Sequence, residues 1–212
     1  MIELRELSIG FSGRIVLDKI NLTIREGEIT IIVGRSGCGK SVLIKSIEGL
    51  VKPVAGTILI DGEEITQLPE KELYRIRKKL AMLFQGSALL DSLNVYQNVA
   101  LPLFEHAGGS AEEISKVVTD NLELVGLPDI LDRMPVELSG GMKKRVALAR
   151  AMVMKPKYII FDEPTTGLDP VIAAGINALI LQLFNEFGIT PVIITHDFDC
   201  IRSIRGRIIM ID

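Results

Sequence analysis

Three absences narrow what this chain of 212 residues can be. Cysteine is scarce: Cys38 and Cys200 have neither metal-ligand spacing nor a disulfide framework, so a stapled scaffold or a zinc module is not expected. Surplus positive charge is missing, the formal net charge being −3, and without a basic footprint no nucleic acid is expected as a partner. No apolar run approaches the roughly 18–20 residues of a membrane helix, and Met1-Ile2-Glu3-Leu4-Arg5-Glu6 lacks the charged and apolar regions of a signal peptide. A soluble, cytosolic protein is therefore expected. Internal repeats, low-complexity tracts and linkers are also absent, while 48% hydrophobic residues suffice for one substantial core or two small lobes.

What is present is organised around residues 34–41, Gly34-Arg35-Ser36-Gly37-Cys38-Gly39-Lys40-Ser41. Upstream, residues 28–33 form a short β-branched apolar run that reads as a buried strand; downstream, Val42 opens a helical pattern to residue 50. Between a strand and a helix, this G-x-x-x-x-G-K-S loop presents backbone N–H groups to phosphate oxygens, aided by the helix dipole. Its glycines let the backbone wrap the anion without Cβ clashes. Lys40 then reaches the β- and γ-phosphates and the Ser41 hydroxyl binds Mg²⁺, so a nucleoside triphosphate is the expected ligand. Cys38 reads either as an amide- and lysine-activated thiolate or as a small filler in the loop.

The alternating segments 2–9, 15–17 and 20–24 predict half-buried antiparallel strands. Phe11 lies in the turn between them, as a core plug or a platform for a base. Residues 57–60 predict a strand followed by an Asp61-Gly62 hairpin signal, and 68–79 a helix with Pro69 near its start and a basic end. Residues 80–84 return to a buried strand with Gln85 at its carboxyl end, where ligands bind in open α/β sheets. Residues 86–155 read as an inserted helical lobe, with loops at 108–110 and 126–128. Strands at 158–161, 191–195 and 207–212 and a helix over 171–187 complete the pattern.

The strand at 158–161 runs into Asp162-Glu163, which supply what a phosphate loop lacks: an acid to hold the Mg²⁺ shell, often through water, and a base to orient the attacking water. Leu138-Ser139-Gly140-Gly141-Met142 precedes a basic amphipathic helix. It is either a second amide-rich anion site, completing the nucleotide site of a twofold-related copy, or a serine N-cap with a glycine hinge. His196 follows a buried strand and either contacts a γ-phosphate or water, or is structural.

Taken in order, these segments resemble an ATP-binding cassette ATPase over essentially the whole chain. Phe11 corresponds to the adenine-stacking aromatic, residues 34–41 to Walker A, Gln85 to the Q-loop glutamine, 138–142 to the signature, 158–163 to Walker B, Thr166-Gly167-Leu168-Asp169 to the D-loop and His196 to the switch histidine. The resemblance implies a P-loop α/β fold with a mixed central sheet and an antiparallel β subdomain, a nucleotide-binding core over 1–85 and 156–212, and a helical subdomain over 86–155. It implies ATP and Mg²⁺ as cofactors: Gly34, Arg35, Ser36, Gly37, Cys38, Gly39, Lys40, Ser41, Val42, Ser139, Gly140, Gly141 and Asp169 bind nucleotide with Phe11. Ser41, Gln85 and Asp162 hold the metal, and Glu163, His196, Gln85 and Lys40 serve catalysis. A homodimer in the ATP-bound state, a separate transmembrane permease and peripheral placement on the cytoplasmic side of the inner membrane are expected.

The usual signature ends in glutamine where this chain has Met142, whose side chain cannot reproduce glutamine's hydrogen bonds. Residues 39–43, 83–90 and 94–103 look like the Mla/Mce-type phospholipid transporters, although Gly86-Ser87 reverses the usual order there. That likeness implies lipid cargo and a periplasmic lipid-binding subunit; amino acids, metals or lipoproteins are alternative cargoes. Family members commonly continue past the strand at 208–211 into a further hairpin and C-terminal helices, so the resemblance implies either a trimmed chain or one lacking a tail used for dimer or partner contacts. A chromosome-maintenance or repair head would carry a long coiled coil between Walker A and the signature, and no such heptad tract exists here. A regulatory module without hydrolysis is disfavoured by Glu163 and His196.

Overall fold

Side-chain alternation along the strands divides the apolar residues between two cores on opposite faces of one sheet. The computed structural model describes residues 1–35, 37–106 and 108–212. Five parallel strands, β3 (Thr30–Gly34), β6 (Leu80–Leu83), β7 (Tyr158–Asp162), β8 (Thr190–Ile194) and β9 (Arg207–Ile211), assemble in the order β6-β7-β8-β3-β9. Ile31, Ile159, Phe161 and Ile193 point to one face; Ile32, Tyr158, Ile160, Val192 and Ile194 point to the other. Both faces are covered, as a parallel sheet requires.

The second face packs on α1 (Lys40–Ile47) through Leu43, Ile44 and Ile47, and on a four-stranded antiparallel sheet, β2-β1-β4-β5. That sheet comprises β1 (Ile2–Phe11), β2 (Arg14–Ile24), β4 (Ala55–Ile60) and β5 (Glu63–Glu64). The mixture of strand directions expected from the sequence is thus divided between two sheets: the central one is parallel, and the antiparallel pairs belong to its neighbour. In β1 the buried residues change parity from Ile2 and Leu4 to Leu7 and Ile9; a bulge at Glu6, with φ 47°, keeps all four on the core side. Gly56 (φ 83°) passes this bulge so closely that a Cβ would overlap the Glu6 carbonyl.

The first face is covered by α3 (Val95–His106), α4 (Ala111–Leu124), α5 (Gly140–Met152) and α6 (Pro170–Phe187), with a 3-10 turn at Pro135–Glu137 and α7 (Phe198–Ile204) leading into β9. Local chemistry sets several ends. Ser110 and Glu113 form a reciprocal capping box on α4, and Gly188 closes α6 in the left-handed region. Helix α1 stops at Ile47 rather than residue 50, because Gly49 takes φ 69°. Helix α2 (Glu70–Arg77) is shorter than its expected 68–79, with Pro69 just outside it. Helix α7 had no counterpart in the sequence reading; Asp197 starts it by accepting from the Asp199 and Cys200 amides. One segment departs from the expected lack of membrane-length apolar stretches: α6, with 18 residues and mean hydropathy 1.3, is long and apolar enough by composition. Here it packs into the core through Ile176, Leu179, Ile180 and Leu183.

The Asp61-Gly62 turn has φ 53° and 81°, the double positive φ of a type I′ hairpin. Asp61 also ties this turn to the start of the parallel sheet, accepting hydrogen bonds from Tyr158 Oη (2.6 Å), Lys157 Nζ (2.7 Å) and Lys79 Nζ (3.1 Å). Burial pushes its carboxyl up, but these donors outweigh it and hold the group well below the usual carboxylate range. A depressed folded pKa gives stability that is present above the unfolded value, about 3.9, and is lost as pH falls toward the folded one. Asp61→Asn is therefore expected to lower the thermal midpoint by several degrees at pH 7, with the gap to the parent closing below about pH 4. Midpoints measured across pH check this, and a gap that widens in acid would refute it.

Candidate functional site

Parallel strands deliver their carboxyl ends to one edge, and here four of them bring chemistry there. Strand β3 ends at Gly34, where a Cβ would overlap the Ile211 carbonyl of β9, so the loop leaves the sheet against neighbouring backbone. Gly37 and Gly39 take φ 83° and 100°, and Gly39 caps α1 without any side-chain hydrogen bond, leaving its first-turn amides without a side-chain partner. Lys40 curls back to donate to the carbonyls of Gly34 (2.7 Å) and Arg35 (2.8 Å). Cys38 is half-buried and packs with Val42 against the core beside α1, the filler role of the two considered. Ser41 is exposed on the first turn of α1. Ser36 lies outside the described residues.

Two strands away, with β8 between, β7 ends in Asp162. Burial raises this carboxyl, the adjacent Glu163 charge adds to the effect, and Lys40 and Lys144 partly counter it. Glu163 sits in the left-handed region at φ 49°, its amide bonded to the Ile194 carbonyl (2.9 Å). Its side chain is only 12% exposed and well held: Oε1 lies 2.7 Å from His196 Nδ1, and Oε2 accepts from Thr166 Oγ1 (3.1 Å) and Thr195 Oγ1 (3.3 Å). Asp162, by contrast, accepts no side-chain hydrogen bond among the described residues. His196 is 72% exposed, and with Nδ1 facing Glu163 its Nε2 remains for another partner. Behind it, Thr165 Oγ1 donates to Asp197 (2.6 Å), holding that carboxyl below its ordinary range.

Gln85 follows β6, exposed, its carbonyl accepting from Lys144 Nζ (3.2 Å). The loop beyond it contains Ser87 and Ala88 at φ 63° and 47°, their carbonyls bound by Arg150 (2.9 and 2.7 Å), and buried Asn98 pins its end at Leu90, Leu93 and Asn94. Phe11 is not a core plug: it ends β1 at the tip of the β1–β2 hairpin, 48% exposed, opposite Arg14.

The structure thus gathers residues 34, 35 and 37–41, Asp162, Glu163, His196 and Gln85 at one edge, while Ser139, Gly140, Gly141 and Asp169 form a second locus where α5 meets α6. Ser139 caps α5 through the Met142 amide (3.3 Å), and Asp169 caps α6 through the Val171 and Ile172 amides (both 3.0 Å). A Cβ on Gly141 would overlap Ile172 Cγ2, whereas one on Gly140 would sit at an ordinary 3.5 Å from Leu168. Met142 is half-buried and packs inward against the helical core. Among the described residues no hydrogen bond joins 139–142 to the 34–41 loop. Lys144 went unnoticed within the basic run; positions 141, 144, 148 and 152 share one buried helical face, and a lysine on that face was the available signal.

A glycine-bearing loop between strand and helix, with two acids delivered by a nearby parallel strand, defines a P-loop nucleotide-binding α/β domain. A family model described as "ABC transporter" matches residues 17–166, and the chain belongs to that family. It is 45% identical to a methionine import ATP-binding protein, MetN, of Carboxydothermus hydrogenoformans, across all of this chain and 64% of that protein. It is 42% identical to the intermembrane phospholipid transport system ATP-binding protein MlaF of Haemophilus influenzae, across 96% of this chain and 77% of that one. A dimeric ATP-binding cassette in a post-hydrolysis state, bound to ADP and Pi, superposes with a TM-score of 0.90 at 36% identity, covering 100% of this chain and 94% of that one.

The close approach of α5 to α6 separates two neighbouring glycines. Gly141→Ala is expected to destabilise the protein by about 1–3 kcal/mol through overpacking. Gly140→Ala should lie within about 0.5 kcal/mol of the parent, since its Cβ meets no clash and the first helical position draws little of alanine's propensity advantage. Denaturant midpoints of the two variants measure this, and equal effects would contradict the steric difference.

Proposed function

We propose that this chain is the ATP-hydrolysing subunit of a transporter, acting as a homodimer that closes on two shared Mg²⁺-ATP sites beside a separate membrane permease. The observation that carries the reading is one sheet edge holding a phosphate-loop lysine, an acid without a side-chain donor among the described residues (Asp162) and an acid held by three side chains (Glu163). In this reading Gly34, Arg35, Ser36, Gly37, Cys38, Gly39, Lys40, Ser41 and Val42 cradle the phosphates, and Lys40 exchanges its two loop carbonyls for phosphate oxygens. Among the described residues no three His, Cys, Asp or Glu side chains converge into a self-sufficient metal cage. That fits Mg²⁺, which is commonly held by one or two protein ligands together with water and substrate phosphates; Ser41, Gln85 and Asp162 would hold it. When bound, it neutralises charge on the phosphates. Glu163 orients water and accepts its proton, and His196 Nε2 meets the γ-phosphate.

Exposed Phe11 suits stacking on adenine. Ser139, Gly140, Gly141 and Asp169 would contact the nucleotide held by the other copy, and the dimeric solved neighbour supports that arrangement. The core would comprise 1–85 and 156–212 and the helical subdomain 86–155. A groove of about 520 Å³ bordered by Tyr74, Met82, Phe84, Ala88, Leu101 and Pro102 lies beside the Gln85 loop and suits a permease segment; in this reading the protein sits on the cytoplasmic side of the inner membrane. The cargo proposed is phospholipid with a periplasmic lipid-binding subunit, supported by the MlaF relative; the MetN relative favours amino-acid import as the second reading.

Glu163→Gln is expected to bind ATP within about threefold of the parent while turnover falls by about a hundredfold or more, the scale of a lost general base. A variant with parental turnover would overturn that role. Affinity purification from the native membrane tests the cargo: a permease with a lipid-binding partner supports phospholipid, an amino-acid permease supports the second reading, and the absence of any permease would overturn the transporter assignment.

A further inference from the structure

We propose that Lys144 is a positioning residue for hydrolysis, one ammonium that joins the backbone of Gln85 to the backbone of Glu163 and anchors both to helix α5. The inference rests on the reading of Glu163 as the base. Lys144 is buried, and its Nζ donates to the Gln85 carbonyl at 3.2 Å and the Glu163 carbonyl at 3.1 Å. Among the described residues it forms no ion pair, and its buried amine nitrogen is bound by two main-chain oxygens. A side chain needed only for volume would be apolar.

Lys144 is the one described donor to the Gln85 carbonyl, and it shares the Glu163 carbonyl with the Thr166 amide (3.3 Å). Glu163 is a non-glycine residue at φ 49°, held on its amide side by the Ile194 carbonyl and on its carbonyl side by Lys144 together with the turn amide of Thr166. Left-handed backbone persists where surrounding contacts over-determine it, and Lys144 supplies one such contact. Gln85 is exposed, and its described hydrogen bond is the one its carbonyl accepts from Lys144. A displacement of the Gln85 loop therefore stretches a bond made by the same ammonium that holds Glu163. The neighbouring cations on α5 lack this link: Arg145 holds the Val125 carbonyl of the α4 end, and Arg150 holds Ser87 and Ala88. Burial lowers the Lys144 pKa from its ordinary value, and the nearby Glu163 and Asp162 carboxylates partly counter it.

The test compares Lys144→Met, Lys144→Arg, Arg145→Met and Glu163→Gln in the full chain, by steady-state ATP turnover with Mg²⁺, nucleotide affinity without turnover, and thermal midpoint. Lys144→Met is expected to lower kcat about tenfold or more with nucleotide affinity within about threefold, a loss made in the transition state rather than in binding. Lys144→Arg, which restores charged donors, should recover kcat to within about threefold of the parent. Arg145→Met should lower the midpoint yet keep kcat within about threefold. If Lys144→Met does not fold, Lys144→Gln, which keeps an N–H donor and loses the charge, is held to the same criterion. Parental kcat in the Lys144 variant alongside an inactive Glu163→Gln overturns this inference alone. An active Glu163→Gln overturns the underlying reading and this inference with it. Equal loss of kcat in the Lys144 and Arg145 variants overturns it too, by reducing Lys144 to a structural anchor.

Discussion

The parallel sheet must be covered on both faces, and much of the architecture follows from that constraint. Each strand reads as a nearly unbroken apolar run because its alternate residues enter different cores: Ile31 and Phe161 among the helices, Ile32 and Ile160 against α1 and the antiparallel sheet. Parallel neighbours need crossovers, so every strand starts at one edge and ends at the other. The carboxyl ends of β3, β6, β7 and β8 therefore lie along one edge, which Gly34, Gln85, Glu163 and His196 share although up to 162 residues separate the first from the last.

At that line, charge is arranged in a partly desolvated setting where bonds to ions count most. Adjacent acids cannot be treated alike: Glu163 has His196, Thr166 and Thr195 around its carboxylate, while Asp162 has burial and a like charge working against its ionisation. Asp162 is thus the group that gains most from an added cation, and Glu163 the one already committed to an orientation. Lys40, engaged among the described residues with the Gly34 and Arg35 carbonyls and, more distantly, the Cys38 sulfur, can exchange these for stronger anionic acceptors.

Features written as local pattern could be read from the sequence. The 34–41 loop, the apolar strands and the Asp61-Gly62 hairpin each depend on residues close together in the chain, and the structure holds each of them. The Lys144 link was not legible, because it unites residues 85, 144 and 163, and a lysine beside Lys143 and Arg145 looks like part of a solvated basic face. The Glu6 bulge escaped notice because polar residues at 5 and 6 hide the change of parity. Helix α7 was missed since its signal is a single aspartate cap ahead of only seven residues.

Met142 shows how the proposed dimer can tolerate loss of a polar signature side chain. At this position the side chain turns inward and packs on the helical core, so a glutamine there would have to leave that packing to reach a ligand. What the α5 terminus offers outward is the Ser139 hydroxyl and the first-turn amides, and those depend on backbone geometry rather than on residue 142. The backbone geometry in turn is fixed by the contact of Gly141 with Ile172, which seats α5 directly on the α6 turn capped by Asp169. In the dimer we propose, this rigid corner is the surface that meets the opposite nucleotide, and α5 carries it and Lys144 on the same helix. Closure at the signature and the position of Glu163 would then be transmitted through one helix about a turn long between them.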